Sequence, residues 1–154
     1  MSGAADRLAA LGLTLPPVTA PVAAYVPALR TGSYVYVSGQ LPVVDGKLLG
    51  TGKVGSEVGT EEAARMARAC ALNGLAAAAS VAGGLDGIRR IVKVVGFVAS
   101  APGFSGQPQV INGASEFLIE VFGEDGKHAR SAIGVAELPL NAPVEVEMIV
   151  EVRD

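Results

Sequence analysis

Half of the 154 residues are apolar, which is enough for one domain with a proper core and too apolar for intrinsic disorder. The net charge is −3, and the densest cationic stretch is only Arg89-Arg90 beside Lys93, so the clustered basic footprint of a nucleic-acid binder is missing. A lone Cys70 excludes an internal disulfide, and with a single His it excludes a Cys/His zinc site within one chain. The first residues lack the apolar core of a secretory signal, and no apolar stretch reaches the ~18–20 residues of a membrane span. The chain is therefore read as cytoplasmic, with no membrane or nucleic-acid partner.

Ser2 to Leu13 is predicted to form a short helix, Ser2 acting as N-cap and Ala4, Leu8 and Leu11 sharing one face. Pro16-Pro17 and Pro21 then enforce an extended connector. Tyr25–Leu29 and Ser33–Gln40 read as two strands joined by a short Gly-containing turn, Arg30 to Ser33. Residues Pro42 to Gly59 are turn-rich, and Asp45-Gly46 is a hairpin signal. A long helix follows, capped by Thr60, with Glu61 and Glu62 complementing its dipole, and Gly83-Gly84 stops it. Ile88–Ala99 reads as a long central strand. Pro108–Phe122 reads as a second long helix, with Val110, Ile111, Ala114, Phe117, Leu118 and Val121 at helical spacing. His128–Leu138 and Val144–Arg153 are the last two strands.

In the final strand Val144, Val146, Met148, Val150 and Val152 fall on one face, and Glu145, Glu147, Ile149 and Glu151 on the other. The element order suggests one mixed sheet with two helices on one face. If the helices cover the Val face, the opposite face is left with both apolar residues and charges. Oligomerisation through that open face is the physical solution.

Several residues are candidates for chemistry. Gly50, Gly52 and Gly55 match a dinucleotide fingerprint in spacing, but the helix starts only near Thr60 and no parallel βαβ unit surrounds it. His128 has no nucleophile elbow to serve and reads as structural or solvent-facing. Cys70, in a helical run, reads as a core thiol. Arg130 shares a strand face with Ala132 and Gly134, which leaves space above the sheet. Its guanidinium either grips a ligand carboxylate with two parallel hydrogen bonds or pairs with a neighbouring Glu. Glu145 and Glu147, ~7 Å apart on one strand face, either divide acid–base roles or form a solvated face or an intersubunit ion pair.

Three stretches carry a family resemblance. Ala129 to Pro139, with its Arg130-Ser131-Ala132-Ile133-Gly134 core, followed by Val144-Glu145-Val146-Glu147, resembles the C-terminal signature of the reactive-intermediate deaminase (Rid, YjgF-like) family, also labelled the L-PSP endoribonuclease family. Tyr34-Val35-Tyr36-Val37-Ser38-Gly39-Gln40-Leu41-Pro42 is similar to its SGQ strand, and Val110 to Phe117 to its second-helix motif. The similarity runs from about Val22 to Val152 in the family's order.

The resemblance implies an α+β, chorismate-mutase-like fold in a single domain over 1–154, with a helical extension at about 2–13. It implies a homotrimer with clefts between subunits. It also implies hydrolysis of small enamines and imines, of the 2-aminoacrylate type, to 2-oxo acids and ammonia without a cofactor. By the same resemblance Arg130 binds the substrate carboxylate, Glu145 positions the hydrolytic water and Tyr25 lines the cleft near the amino group. Ser38, Asn112 and Ala132 are further cleft positions. The sequence departs from the well-studied deaminating members at Ala132, where they carry Cys, and in the added N-terminal helix and longer 42–59 loop. A non-catalytic trimer that binds small carboxylates or 2-oxo acids is the alternative. An endoribonuclease and a chorismate mutase are further readings, which the acidic balance and the single Arg near the cleft argue against.

Overall fold

The computed structural model describes residues 3–18, 20–21 and 23–154. In chain order the elements are helix α1 (Ala4–Ala10), strands β1 (Ala28–Thr31), β2 (Tyr34–Gln40), β3 (Val43–Val44) and β4 (Lys47–Leu48), helix α2 (Thr60–Ala82), strand β5 (Ile88–Ala99), helix α3 (Gln107–Phe122), and strands β6 (Ala129–Val135) and β7 (Val144–Val152). One five-stranded sheet has the order β1-β2-β7-β5-β6, and the β3–β4 hairpin stands apart. The β5–β6 pairing is parallel and the others are antiparallel, so the sheet is mixed.

The strict alternation in β7 is visible as burial. Val144, Val146, Met148, Val150 and Val152 are buried, with α2 packed over them and α3 over the neighbouring β5 and β6, while the residues between them are only half-covered. Small side chains let α2 lie close to that surface: Ala63, Ala67, Ala71, Leu75 and Ala78 recur every three or four residues and are fully buried. Helices α2 and α3 also approach each other closely, because a Cβ on Gly113 would collide with the Ala64 backbone carbonyl. Among the described residues no helix covers the far face of the sheet. There Leu29, Tyr34, Tyr36 and Ile133 are exposed among Lys93, Glu147 and Glu151, the mixed surface expected from the sequence.

Local departures from the expected elements have physical causes. The first strand begins at Ala28 rather than Tyr25. Pro27 lacks an N–H, and its carbonyl and that of Val26 accept bonds from Ser38 N–H (2.9 Å) and Ser38 Oγ (2.6 Å), ahead of the regular ladder. Tyr25 is thereby released from the sheet. Strand β6 ends at Val135 rather than Leu138, and Pro139–Asn141 form a tight 3₁₀ turn in which Leu140 and Asn141 are left-handed (φ 58° and 59°). Helix α2 takes Gly59 as its N-cap residue, with no side-chain cap bond, so Thr60 is its first residue and not its cap. Helix α1 starts after Gly3, and its Ala5 N–H is capped from a distance by Asp86 Oδ1 at 3.1 Å. The proposed Ser2 cap lies outside the described residues. Asp45 and Gly46 both take positive φ (52° and 80°), the geometry of a tight two-residue hairpin turn.

Replacing Gly113 by Ala tests the helix–helix approach. Helix propensity alone favours Ala by about 1 kcal/mol. Overpacking against a backbone carbonyl costs about 1–3 kcal/mol. The expected outcome is a net loss of up to about 2 kcal/mol, read as a lower urea midpoint with an unchanged slope at fixed protein concentration.

Candidate functional site

Strand β6 is an edge strand, and Arg130 stands opposite Val94 of β5, which in turn faces Met148 of β7. Directly opposed residues share a face, so Arg130 projects to the helix-covered side. Asn112 and Ser115, one turn apart on α3, meet it there. Arg130 Nη1 donates to Asn112 Oδ1 at 2.8 Å and to Ser115 Oγ at 3.2 Å. A guanidinium has five N–H groups in a fixed fork. Among the described residues no hydrogen bond or ion pair occupies Nε or Nη2. That free edge is the one a carboxylate engages side-on with two parallel bonds.

Behind Ser115 lies His128. Ser115 Oγ is 2.9 Å from Nε2, and Nδ1 is 2.6 Å from the Gly126 carbonyl. A carbonyl only accepts, so Nδ1 carries the proton and Nε2 accepts from the serine hydroxyl. Burial pushes the His128 pKa below its ordinary value; the Gly126 bond opposes this and the nearby Arg130 charge reinforces it. The imidazole is therefore neutral near pH 7 and half-buried. Ala132 lies opposite Gly96, on the same face as Arg130, and packs against the core.

A second group forms across the sheet. Glu145 lies between buried Val144 and Val146, opposite Phe97, and so projects to the uncovered face. Its Oε1 sits where a side chain on residue 39 would begin, so a larger residue at the centre of the Ser38-Gly39-Gln40 run would displace the Glu145 carboxylate. The β2–β7 register shifts between Val37 and Gln40, at the same place. Tyr25, Pro27, Leu41, Leu140 and Glu145 line a hollow of about 360 Å³. A second hollow, of about 610 Å³, shares Tyr25 and takes in Ser38, Tyr36, Lys93 and Glu147. Burial raises the Glu145 pKa above the ordinary carboxylate range, and the neighbouring Glu147 charge raises it further.

One chain thus gathers the candidate residues into two groups. Arg130, Asn112 and Ala132 stand on the helix side of β6; Tyr25, Ser38 and Glu145 stand on the open side. The sheet separates them. The reading of isolated motifs did not join Ser115 and His128 to Arg130. The available signal was that Ser115 follows Asn112 by one helical turn, while His128 precedes Arg130 by one strand repeat. Cys70 is a fully buried free thiol whose pKa burial drives well up, leaving it inert. Gly52 and Gly55 take positive φ in the loop before α2; the Gly52 N–H bonds the Asn141 carbonyl and Gly55 packs on Phe104. Their role there is structural. Among the described residues no three His, Cys, Asp or Glu side chains converge as a metal site, and no helix is long and apolar enough to cross a membrane.

This mixed sheet with two long helices on one face is the chorismate-mutase-like fold of YjgF proteins. The model of the family described as YjgF/chorismate_mutase-like, putative endoribonuclease, matches residues 5–152, and the chain belongs to that family. It is 43% identical over 151 residues to Protein TCP17 of Trypanosoma cruzi, covering 97% of this chain and 94% of the relative. The crystal structure of a protein of unknown function from Agrobacterium tumefaciens is 49% identical, with a TM-score of 0.89 and coverage of 97% of this chain and 92% of that one. TdcF of E. coli, solved with bound serine, is 25% identical with a TM-score of 0.60, over 91% of this chain and 94% of that one.

Glu147→Gln removes the like charge beside Glu145. The Glu145 pKa is expected to fall towards the ordinary carboxylate value without reaching it, because burial remains. A carboxyl-carbon NMR titration of wild type and variant reads this directly.

Proposed function

We propose that the chain hydrolyses small reactive enamines and imines of 2-oxo acids, releasing the 2-oxo acid and ammonia, in clefts between the copies of a homotrimer. The observation that carries this reading is the division of the site. Arg130 presents a free carboxylate-binding edge on one side of the sheet, and Glu145 presents a carboxylate of raised pKa on the other. Neither half suffices, and the uncovered apolar and acidic face gives one copy a reason to pack on the next. Serine bound to the E. coli relative is a small amino acid with a carboxylate, which supports a ligand of this class.

In this reading Arg130 holds the substrate carboxylate through Nε and Nη2. The imine enters protonated on nitrogen; Glu145 takes a proton from water as its oxygen bonds to the imine carbon and the C=N π pair moves onto nitrogen. Glu145 returns that proton to the carbinolamine nitrogen, the C–N bond breaks with its electron pair leaving on ammonia, and the hydroxyl gives its O–H proton back to Glu145 as the carbonyl forms. A base of raised pKa is closer to the working pH than an ordinary carboxylate, which favours both halves of the proton transfer. Tyr25 and Ser38 line the approach to Glu145. The presence of Ala132 where deaminating relatives carry Cys supports a second reading, a trimer that binds 2-oxo acids without turning over imines. An endoribonuclease has less support, because the hollow around Glu145 carries no cation for phosphates among its lining residues.

A coupled assay decides between these. A serine lyase generates 2-aminoacrylate, amino-acid oxidases supply other imines, and their decay is followed. Wild type is expected to accelerate decay, and Arg130→Ala to lower kcat/KM by about a hundredfold. Failure of wild type to exceed buffer on every imine favours the binding trimer. Loss of activity is also expected as pH falls through the Glu145 pKa, at higher pH than for an unperturbed carboxylate, and Glu147→Gln should move that limb to lower pH.

The divided site has its own test. Co-expressed Arg130→Ala and Glu145→Gln chains, each inactive alone, should regain activity in about a quarter of the clefts, because each cleft draws its Arg from one copy and its Glu from the next. A site within one chain regains none.

A further inference from the structure

The hydrogen bonds of Arg130 have a direction to them. Both protons of Nη1 are spent inside the protein, on Asn112 Oδ1 and Ser115 Oγ. Ser115 accepts from Arg130 through a lone pair and gives its own proton to His128 Nε2 at 2.9 Å. His128 can accept it only because its other nitrogen donates to the Gly126 carbonyl at 2.6 Å. The four groups form one relay in which each hydrogen bond fixes the role of the next. It is anchored at the far end on backbone that is itself buried, since a Cβ on Gly126 would meet the α3 backbone at Leu118 and Ile119. Ser115 is 9% exposed and His128 is half-buried, so the relay lies largely beneath the surface.

We propose that Ser115 and His128 are positioning residues for Arg130: they hold its Nη1 side against α3 and so select the Nε–Nη2 edge as the edge that receives a ligand carboxylate. A guanidinium on a flexible stem can offer several edges. Here the relay leaves one, in one plane. Neither Ser115 nor His128 touches the ligand. Their effect is on how well Arg130 is prepared for it, which belongs to binding rather than to the bond-breaking step. The inference rests on the carboxylate-binding role given to Arg130 above.

Calorimetry with pyruvate as the probe tests the relay without requiring turnover. Wild type is expected to bind it and Arg130→Ala not to. Ser115→Ala and His128→Phe are expected to weaken binding about five- to tenfold each, and the double variant no more than either single one, because both break the same relay. His128→Gln places an amide oxygen near the position of Nε2 and is expected to restore most of the affinity. On any imine that wild type turns over, the same variants should raise KM with kcat little changed.

A merely structural role would lower melting temperature while leaving pyruvate affinity of the folded protein and the KM–kcat split alone. If Arg130→Ala abolishes binding but Ser115→Ala binds as wild type does, the relay is overturned and the role of Arg130 stands. If wild type binds no pyruvate, the carboxylate reading of Arg130 falls, and the relay with it. Should His128→Phe fail to fold, Ser115→Ala and His128→Gln carry the comparison alone.

Discussion

A β-strand has two faces, and β7 commits them to opposite purposes. Its five apolar residues are driven into the core under α2. Because the side-chain period is two, that burial leaves Glu145, Glu147, Ile149 and Glu151 no choice of direction. A slip of one residue would put three carboxylates into the core. The register of the central strand therefore fixes at once where the core lies and where Glu145 lies. The pairing of β7 with β5, and of β5 with β6, then decides the side on which Arg130 emerges.

The two sides of the sheet give their charged groups different surroundings. On the helix side Arg130 is surrounded by groups that accept hydrogen bonds but bring no negative charge, so its own charge stays available. On the open side Glu145 sits over Gly39 beside a like charge, in an apolar hollow that disfavours its ionised form. One half is a cation left unneutralised and the other a carboxylate whose ionised form burial and a like charge disfavour. Both states are costly in isolation, and both suit a ligand that brings an anionic group to one and a water to the other.

Much of this was legible in the sequence, and the parts that were not share a cause. The period-two pattern from Val144 to Val152, the helical spacing from Val110 to Val121 and the Asp45-Gly46 turn announce themselves because each is local. The long strand Ile88–Ala99 was legible for the same reason. The start of β1 and the end of β6 were not, since they depend on Ser38 bonding to Val26 and Pro27, and on the left-handed pair at Leu140 and Asn141, which nothing adjacent in the chain demands. The candidate residues were named one by one from the motifs. The division of the site across the sheet was not legible, because a motif names residues without saying which face each one occupies. Ser115 and His128 escaped for a related reason: each looks ordinary until the strand and the helix are brought side by side.

The fixed plane of the Arg130 edge has a consequence for stereochemistry. A 2-imino acid is flat from its carboxylate through to its nitrogen. A guanidinium that accepts the carboxylate edge-on holds that whole plane in line with its own. The two faces of the imine carbon then cease to be equivalent, and in the proposed reaction water reaches it from whichever face looks towards Glu145. The tetrahedral carbinolamine so formed has a single handedness, because its carbon carries four different groups: carboxylate, hydroxyl, amine and the side chain. The asymmetry vanishes when ammonia departs and the carbon becomes flat again. The protein would thus impose chirality on an intermediate and erase it from the product.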